Sequence, residues 1–314
     1  MIVSILLLFL WFVLLLKWSD IFIDWASAIA KKFKLSPMFI GLTIVAFGTS
    51  APELFVNIQS ALHWHTELAL GNILWSNIAN IALILWIGII VWAFAIAKKI
   101  NKDILISLIF SLCFLALLII WWSNISRSWS ILIWLLLLSA FWFYFWYTYR
   151  HRTAELQIEE ATISHKFWLL LLMIVWGLVI IVLGGELVVN NAVKLAEYFG
   201  ISARVIWLTI VSVGTSLPEL MTTVVSLKKW YHEIGVGNII GSNIFNIWLI
   251  GWITSLVSPI VFERSAYYDF VILFLISLLL WWFVYYNKSK MKHRQWLVLF
   301  VIYIVYVVSL IVMK

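Results

Sequence analysis

The sequence predicts an all-α integral membrane protein, with ten transmembrane helices in two inverted five-helix repeats. Three observations carry this. The chain is 65% hydrophobic and only 11% charged, with a mean hydropathy of +1.08, a balance that excludes an ordinary soluble domain. Apolar runs of about 18 residues or more recur along the whole length, as membrane-spanning helices require. A β-barrel would instead show alternating segments of about ten residues, and none occur. Third, the chain repeats itself at a fixed offset of 166 residues, the mark of an internal duplication.

In order, the apolar runs give spans at 2–30, 37–61, 68–97, 104–122 and 129–149, then at 167–196, 203–227, 234–261, 268–286 and 296–313. Residues 1–149 form the first repeat, 150–166 a short cytoplasmic linker carrying Glu155, Glu159 and Glu160, and 167–314 the second repeat. The offset carries Asp20 onto Glu186, Asp24 onto Asn190 and Ser36 onto Ser202. The first 17 residues could pass for a signal peptide, but they lack a basic leader and have a partner in the second half, so they read as a span. An odd number of spans per repeat forces the two halves to insert with opposite topology.

Loop charge sets the orientation. With the N-terminus outside, the inner loops hold Lys31, Lys32 and Lys34, then Lys98, Lys99 and Lys102, then Arg150, Arg152 and Lys166. Lys228 and Lys229, then Lys288, Lys290, Lys292 and Arg294, complete the inner side, while the outer side holds only Arg127, Arg204, Arg264 and Lys314. The bias toward the inside places both termini outside the bacterial inner membrane. The net charge of +7 is thereby explained by topology, and no nucleic-acid partner is expected. Cys113 is the single cysteine and lies in an apolar run, so no intrachain disulfide forms. All six histidines lie in loops or at their edges.

Two motifs occur in each half. The first reads Gly41-Leu-Thr-Ile-Val-Ala-Phe-Gly-Thr-Ser-Ala-Pro-Glu-Leu54 and returns as Trp207-Leu-Thr-Ile-Val-Ser-Val-Gly-Thr-Ser-Leu-Pro-Glu-Leu220. A carboxylate deep in a bilayer is costly and faces a cavity where it has a task. Gly and Pro beside it loosen the helix and free backbone carbonyls. Matching breaks in two halves point to the binding site of a secondary transporter. The second motif reads Gly71-Asn-Ile-Leu-Trp-Ser-Asn-Ile-Ala-Asn80 and Gly237-Asn-Ile-Ile-Gly-Ser-Asn-Ile-Phe-Asn246. Asn72, Ser76 and Asn80, and likewise Asn238, Ser242 and Asn246, are four residues apart and share one helical face. Polar contacts between membrane helices also use such residues; an exactly repeated set that includes two glutamates goes beyond that need.

The pooled groups are two carboxylates, Glu53 and Glu219, the hydroxyls of Thr49, Ser50, Thr215 and Ser216, and the amides of Asn80 and Asn246. These are hard oxygen ligands without Cys or His, and they suit Ca2+ or Na+ rather than zinc or copper. A hydrolase would need a Ser–His couple or an Asp pair, and no His lies in a span. A channel would need a continuous pore, against which inverted repeats around a midplane site argue.

The Gly-Thr-Ser-x-Pro-Glu and Gly-Asn-x-x-Gly-Ser-Asn motifs together resemble the cation/calcium exchanger superfamily, and most of all its compact prokaryotic sodium/calcium exchangers. The resemblance covers essentially the whole chain. It implies ten helices in inverted repeats and a secondary active antiporter moving Ca2+ by alternating access, with the first and sixth helices sliding across the core. It implies a central calcium site on Glu53 and Glu219. The backbone carbonyls of Ala46 and Ser212, with Thr49, Ser50, Thr215 and Ser216, would complete the calcium and outer sodium sites, flanked by Ser76, Asn80, Ser242 and Asn246. No cofactor is expected. The partners are calcium and sodium ions and the lipid bilayer, and the assembly is a monomer.

Two departures stand out. Many sodium/calcium exchangers carry Asp where this chain has Asn246, so the site holds two formal negative charges. These neutralise one Ca2+ but leave three Na+ with net positive charge, which makes calcium/proton exchange the alternative to sodium drive. Trp also outnumbers Gly, 22 to 13, although membrane helices favour Gly. Trp18 falls on Gly184, Trp75 on Gly241 and Trp207 on Gly41. Decoding of UGA as glycine would produce this pattern; deliberate mutagenesis is the other explanation. Taken as tryptophan, Trp75 and Trp207 are expected to be pushed toward lipid or against the ion cavity.

Overall fold

In this computed structural model the described residues are 2–64, 66–91, 101–122, 127–151, 167–199, 212–258, 260, 264–287 and 293–312. Every regular element among them is a helix. Helix α1 (Ile2–Lys32) ends on Lys31 and Lys32, cations placed against the negative end of the helix dipole. It runs alongside α8 (Phe167–Tyr198). Both helices turn large apolar side chains outward, Leu6, Phe9 and Leu10 on one and Trp168, Leu172 and Trp176 on the other. Their inner faces bury Leu15, Phe22, Ile23, Ile174, Ile181 and Val188 in one cluster with Ile40, Val45, Leu217 and Met221. Both faces of the pair are therefore apolar, as helices between a protein core and lipid must be.

The broken helix predicted around the first motif is present. Helix α2 (Pro37–Thr49) meets α3 (Ala51–Leu62) at 43°. Ser36 caps α2 by accepting the Phe39 N–H at 3.1 Å, with Pro37 in the first turn. Ser50 leaves the helical region at φ −82°, ψ 8°, and Pro52 opens the next helix. A proline has no N–H for the carbonyl four residues back, here Gly48. Helix α4 (Thr66–Ala79) passes through a π turn at Asn80–Ile84 into α5 (Leu85–Val91), followed by α6 (Asn101–Trp122) and α7 (Arg127–His151).

In the second half, α9 (Ser212–Thr215) is separated from α10 (Leu217–Lys228) by Ser216 at φ −87°, ψ 8°, a near copy of Ser50. Helix α11 (His232–Phe245) passes through a π turn at Asn246–Ile250 into α12 (Gly251–Val257). Helices α13 (Arg264–Tyr286) and α14 (His293–Val312) close the chain. Thus the breaks at Ser50 and Ser216 and the π turns at Asn80–Ile84 and Asn246–Ile250 recur at the 166-residue offset, while a further π turn at Gly41–Val45 has its counterpart outside the described residues. Five helices are long and apolar enough to cross a membrane, or six with the bent pair as one span, among the described residues. The expected stretch 203–211, the end of the third span beyond Val91 and the linker beyond His151 lie outside the described residues.

The main core packs Ile73, Leu74, Ile78, Phe114, Phe141, Ile239, Ile244, Ile276 and Trp296. Its outer helices are clipped by matching pairs. Tyr144 donates to Asp103 at 2.9 Å and Tyr306 to Asp269 at 2.9 Å, with the two aspartates 166 residues apart. At one end of the molecule Lys229, just after α10, reaches Asp20 at 3.0 Å and Asp24 at 2.7 Å on α1. Partial burial alone would lower the ammonium, but its bonds and charge pairing with Asp24 and Asp20 outweigh that and raise it above its ordinary value.

Helices α2 and α11 cross in direct backbone contact. A Cβ on Gly241 would lie 2.6 Å from Ala46 Cβ and 2.7 Å from the Leu42 carbonyl oxygen, and one on Gly237 would lie 2.9 Å from the Met38 carbonyl oxygen. Small residues spaced by four let two backbones touch in this way. Gly241→Ala is expected to destabilise the protein by about 1–3 kcal/mol through overpacking. Gly185→Ala, whose Cβ would sit an ordinary 3.5 Å from Pro218, is expected to be neutral or better. Paired thermal melts check both, and equal melting of the two variants would refute the close crossing.

Candidate cation site

The site lies where the bent helices of the two halves meet. Glu53 and Glu219 each stand in the first turn after the break, on α3 and α10, and both are fully buried. Each carboxylate is held by the serine of the opposite half. Ser50 donates to Glu219 Oε1 at 3.1 Å, and Ser216 donates to Glu53 Oε1 at 3.4 Å. Ser242 donates to the same Glu219 oxygen at 3.3 Å. The second oxygen of each glutamate, Oε2, is buried without a hydrogen-bond partner.

Thr49 donates to Asn238 Oδ1 at 3.0 Å and lies 3.4 Å from the Ser242 hydroxyl. The Ala46 carbonyl accepts the Ser50 N–H at 3.0 Å and lies 3.3 Å from the Thr49 hydroxyl. Thr215, next to Ser216 on α9, and Ser76 on α4 are both buried. Ser212 opens α9, and its backbone is all that is described there. Asn80 and Asn246 both lie at 0% exposure where the π turns begin. π turns often sit at functional positions, because the extra residue redirects side chains.

Asn77 and Asn243 are not among the residues expected from sequence, and they are central here. Asn80 Nδ2 donates to Asn243 Oδ1 at 3.0 Å, and Asn246 Nδ2 donates to Asn77 Oδ1 at 3.1 Å. Asn77 and Asn243 each donate to the other's backbone carbonyl at 3.3 Å. The residue following Ser in both copies of the second motif was the available signal. Asn238, by contrast, reaches Thr222, Thr223 and the Glu219 carbonyl and braces α10 against α11. Trp75 is half-buried and packs on the main core. Its ring lies back along its own helix, the nearest atoms 3.5 Å from where a Gly71 Cβ would be, rather than out toward lipid. Trp207 lies outside the described residues.

Buried polar atoms are normally paired. Here Glu53 Oε2, Glu219 Oε2, Asn80 Oδ1 and Asn246 Oδ1 have no hydrogen-bond partner. All four are oxygen acceptors, two of them on carboxylates, and a desolvated hard cation is the partner such atoms lack. Among the described residues no group of three or more His, Cys, Asp or Glu side chains comes together. A cation held here would therefore meet two carboxylates and neutral oxygens.

A helical membrane protein with desolvated carboxylates at paired helix breaks is of the cation-transporter class. The chain belongs to the sodium/calcium exchanger protein family, whose model matches residues 3–150 and 169–312. It is 31% identical to the sodium/calcium exchanger MaX1 of Methanosarcina acetivorans over 98% of both chains. It is 34% identical to the inner membrane protein YrbG of Escherichia coli over 81% of this chain and 80% of that one. The solved sodium-calcium exchanger NCX_Mj, soaked with Na+ and Sr2+, superposes with a TM-score of 0.81 at 30% identity, covering 98% of this chain and 99% of that one.

Glu53→Gln and Glu219→Gln are each expected to keep the fold and to weaken divalent-cation binding at least about 100-fold, the cost of leaving one buried charge unpaired. Calorimetric titration of the purified protein checks this. Unchanged binding in either variant would remove that residue from the site.

Proposed function

We propose that this chain is a secondary active antiporter that moves Ca2+ across the membrane by alternating access, driven by a sodium gradient. The observation that carries this reading is the set of four unpartnered oxygens on Glu53, Glu219, Asn80 and Asn246. Two carboxylates balance one Ca2+, and neutral oxygens complete its shell of about six to eight. Na+ competes for the same carboxylates, so loading one ion displaces the other. Thr49, Ser50, Ser76, Thr215, Ser216 and Ser242, with the carbonyls of Ala46 and Ser212, supply the remaining calcium and sodium ligands. A buried pair of bare carboxylates crosses a low-dielectric region only when charge-compensated, which couples the two fluxes.

On this reading the ten expected spans form two inverted repeats, with both termini outside the inner membrane and a monomer as the working unit. Helices α1 and α8 are the sliding pair. They pack against one another and face outward along their length, as a mobile layer over a fixed core would. The relatives support the family. Sodium drive rests on the site's ligand chemistry and on the names of MaX1 and NCX_Mj.

A second reading, calcium/proton exchange, is favoured by one observation. Asn at both 80 and 246 leaves two carboxylates for the whole site, and each can carry a proton. Calcium uptake into proteoliposomes under separate sodium and pH gradients decides between them. Uptake driven by an outward sodium gradient at equal pH is expected. Uptake driven by the pH gradient alone would establish the proton reading, and no uptake under either gradient would end both.

A further inference from the structure

We propose that Asn77 and Asn243 are positioning residues that fix which end of Asn246 and Asn80 faces the cation. The backbone sets the polarity first. Asn77 points one end of its amide at the Asn243 carbonyl, 3.3 Å away. A carbonyl only accepts, so that end is the NH2. Asn77 Oδ1 is then the end turned to Asn246, and at 3.1 Å it can bind only the Asn246 NH2. Asn246 Oδ1 is left aimed away, buried and without a partner. The mirror chain runs from the Asn77 carbonyl through Asn243, 3.3 Å, to Asn80, 3.0 Å, and leaves Asn80 Oδ1 in the same condition. Asn77 is 0% and Asn243 2% exposed, so water does not compete for these bonds. The pairing is crossed: each half sets the ligand of the other.

An amide that presented its NH2 to a cation would repel it, so orientation decides affinity. This inference rests on the ligand role of Asn80 and Asn246 given above. Asn77→Leu is close in volume and removes the acceptor that holds Asn246. It is expected to raise the half-saturating Ca2+ concentration of uptake about 5- to 10-fold, the worth of one buried hydrogen bond, with little change in maximal rate. Asn246→Leu is expected to do at least as much, and the double variant no more than Asn246→Leu alone. Asn77→Leu combined with Asn80→Leu is expected to multiply, because those two are not coupled in the crossed scheme.

Multiplying effects for 77 with 246, or a loss of maximal rate at unchanged half-saturation, would overturn the proposal and leave Asn77 a packing residue. Normal half-saturation in Asn246→Leu would instead overturn the ligand role itself, and the proposal with it. Asn243→Leu with Asn80→Leu gives the mirror cycle if Asn77→Leu does not assemble.

A different observation independently carries a second inference: the codons for Trp11, Trp18, Trp64, Trp75, Trp207 and Trp230 are read as glycine where this gene is expressed. Trp64 and Trp230 are 166 residues apart, and both have φ 63°. Each follows a helix end, with N–H bonds from Trp64 to the Ala61 carbonyl at 3.2 Å, from Trp230 to the Leu227 carbonyl at 3.1 Å, and from Tyr231 to the Ser226 carbonyl at 2.8 Å. That left-handed position at a helix terminus is most often glycine, although Lys34 also holds it, at φ 52° after α1. Here it carries indoles that are 77% and 73% exposed.

The other four face glycines across the repeat: Gly177, Gly184, Gly241 and Gly41. Two of those glycines have no space for even a methyl group. A Cβ on Gly41 would lie 2.5 Å from the Ile234 carbonyl oxygen, and the corresponding distance from Gly241 to Ala46 Cβ is 2.6 Å. The gene is expected to carry UGA at all six codons, and peptides from the source cells are expected to read glycine by mass. UGG codons, or tryptophan by mass, would overturn the inference. Recombinantly, Trp64→Gly and Trp230→Gly are expected to raise the melting temperature more than Trp64→Ala and Trp230→Ala, because alanine remains strained at positive φ. Equal gains from alanine would overturn the backbone basis of the assignment.

Discussion

Everything in this molecule is subordinate to keeping two carboxylates, Glu53 and Glu219, out of water. Both are fully buried, and an ionised carboxylate in such a place costs several kcal/mol unless hydrogen bonds and a counter-charge offset it. The fold answers with exchange between halves. Ser50 serves Glu219, Ser216 serves Glu53, and the asparagines cross in the same way. Neither half completes its own site, so the two halves must stay docked for either carboxylate to be tolerated. The tight approach of α2 to α11 through Gly237 and Gly241 provides that docking. Bulk there would separate the serines from the glutamates.

The broken helices follow from the same demand. A continuous α-helix consumes its own N–H and C=O groups and offers nothing to an ion. Ser50 and Ser216 step out of helical geometry and Pro52 and Pro218 follow, which sets the glutamate in the first turn of a new helix. There the positive end of the helix dipole supports negative charge. The π turns at Asn80–Ile84 and Asn246–Ile250 accomplish something similar for the amides.

Much of this was legible in the sequence, for identifiable reasons. The helix break was readable because Gly, Pro and Glu seldom meet within one apolar run unless the backbone opens there, and because the motif occurs twice. The hydroxyls and Glu53 and Glu219 stood out for the same reason. Asn77 and Asn243 were not, because a four-residue spacing selects one helical face, and these residues sit one position off it. Their importance lies in partners about 166 residues away, which no local pattern encodes. The π turns have no compositional signature and were not foreseeable either. The rotamer of Trp75 departs from expectation because its side chain runs toward the N-terminal turn of its own helix, the usual direction for a long helical side chain.

The duplication is close at the site and lapses at the edge. Lys229 grips Asp20 and Asp24 of α1. The residues at the same positions of the other repeat are His63, Glu186 and Asn190: a weaker base, one carboxylate and an amide. A transporter made of two identical inverted halves has two end states of equal energy by symmetry alone, whatever its ions are doing. Here Lys229 pairs with Asp20 and Asp24 at one end, and the equivalent positions of the other repeat carry different chemistry, so the two halves are not identical there. On the alternating-access reading proposed above, that inequality would bias the two orientations unevenly even with the same solution on both sides of the membrane.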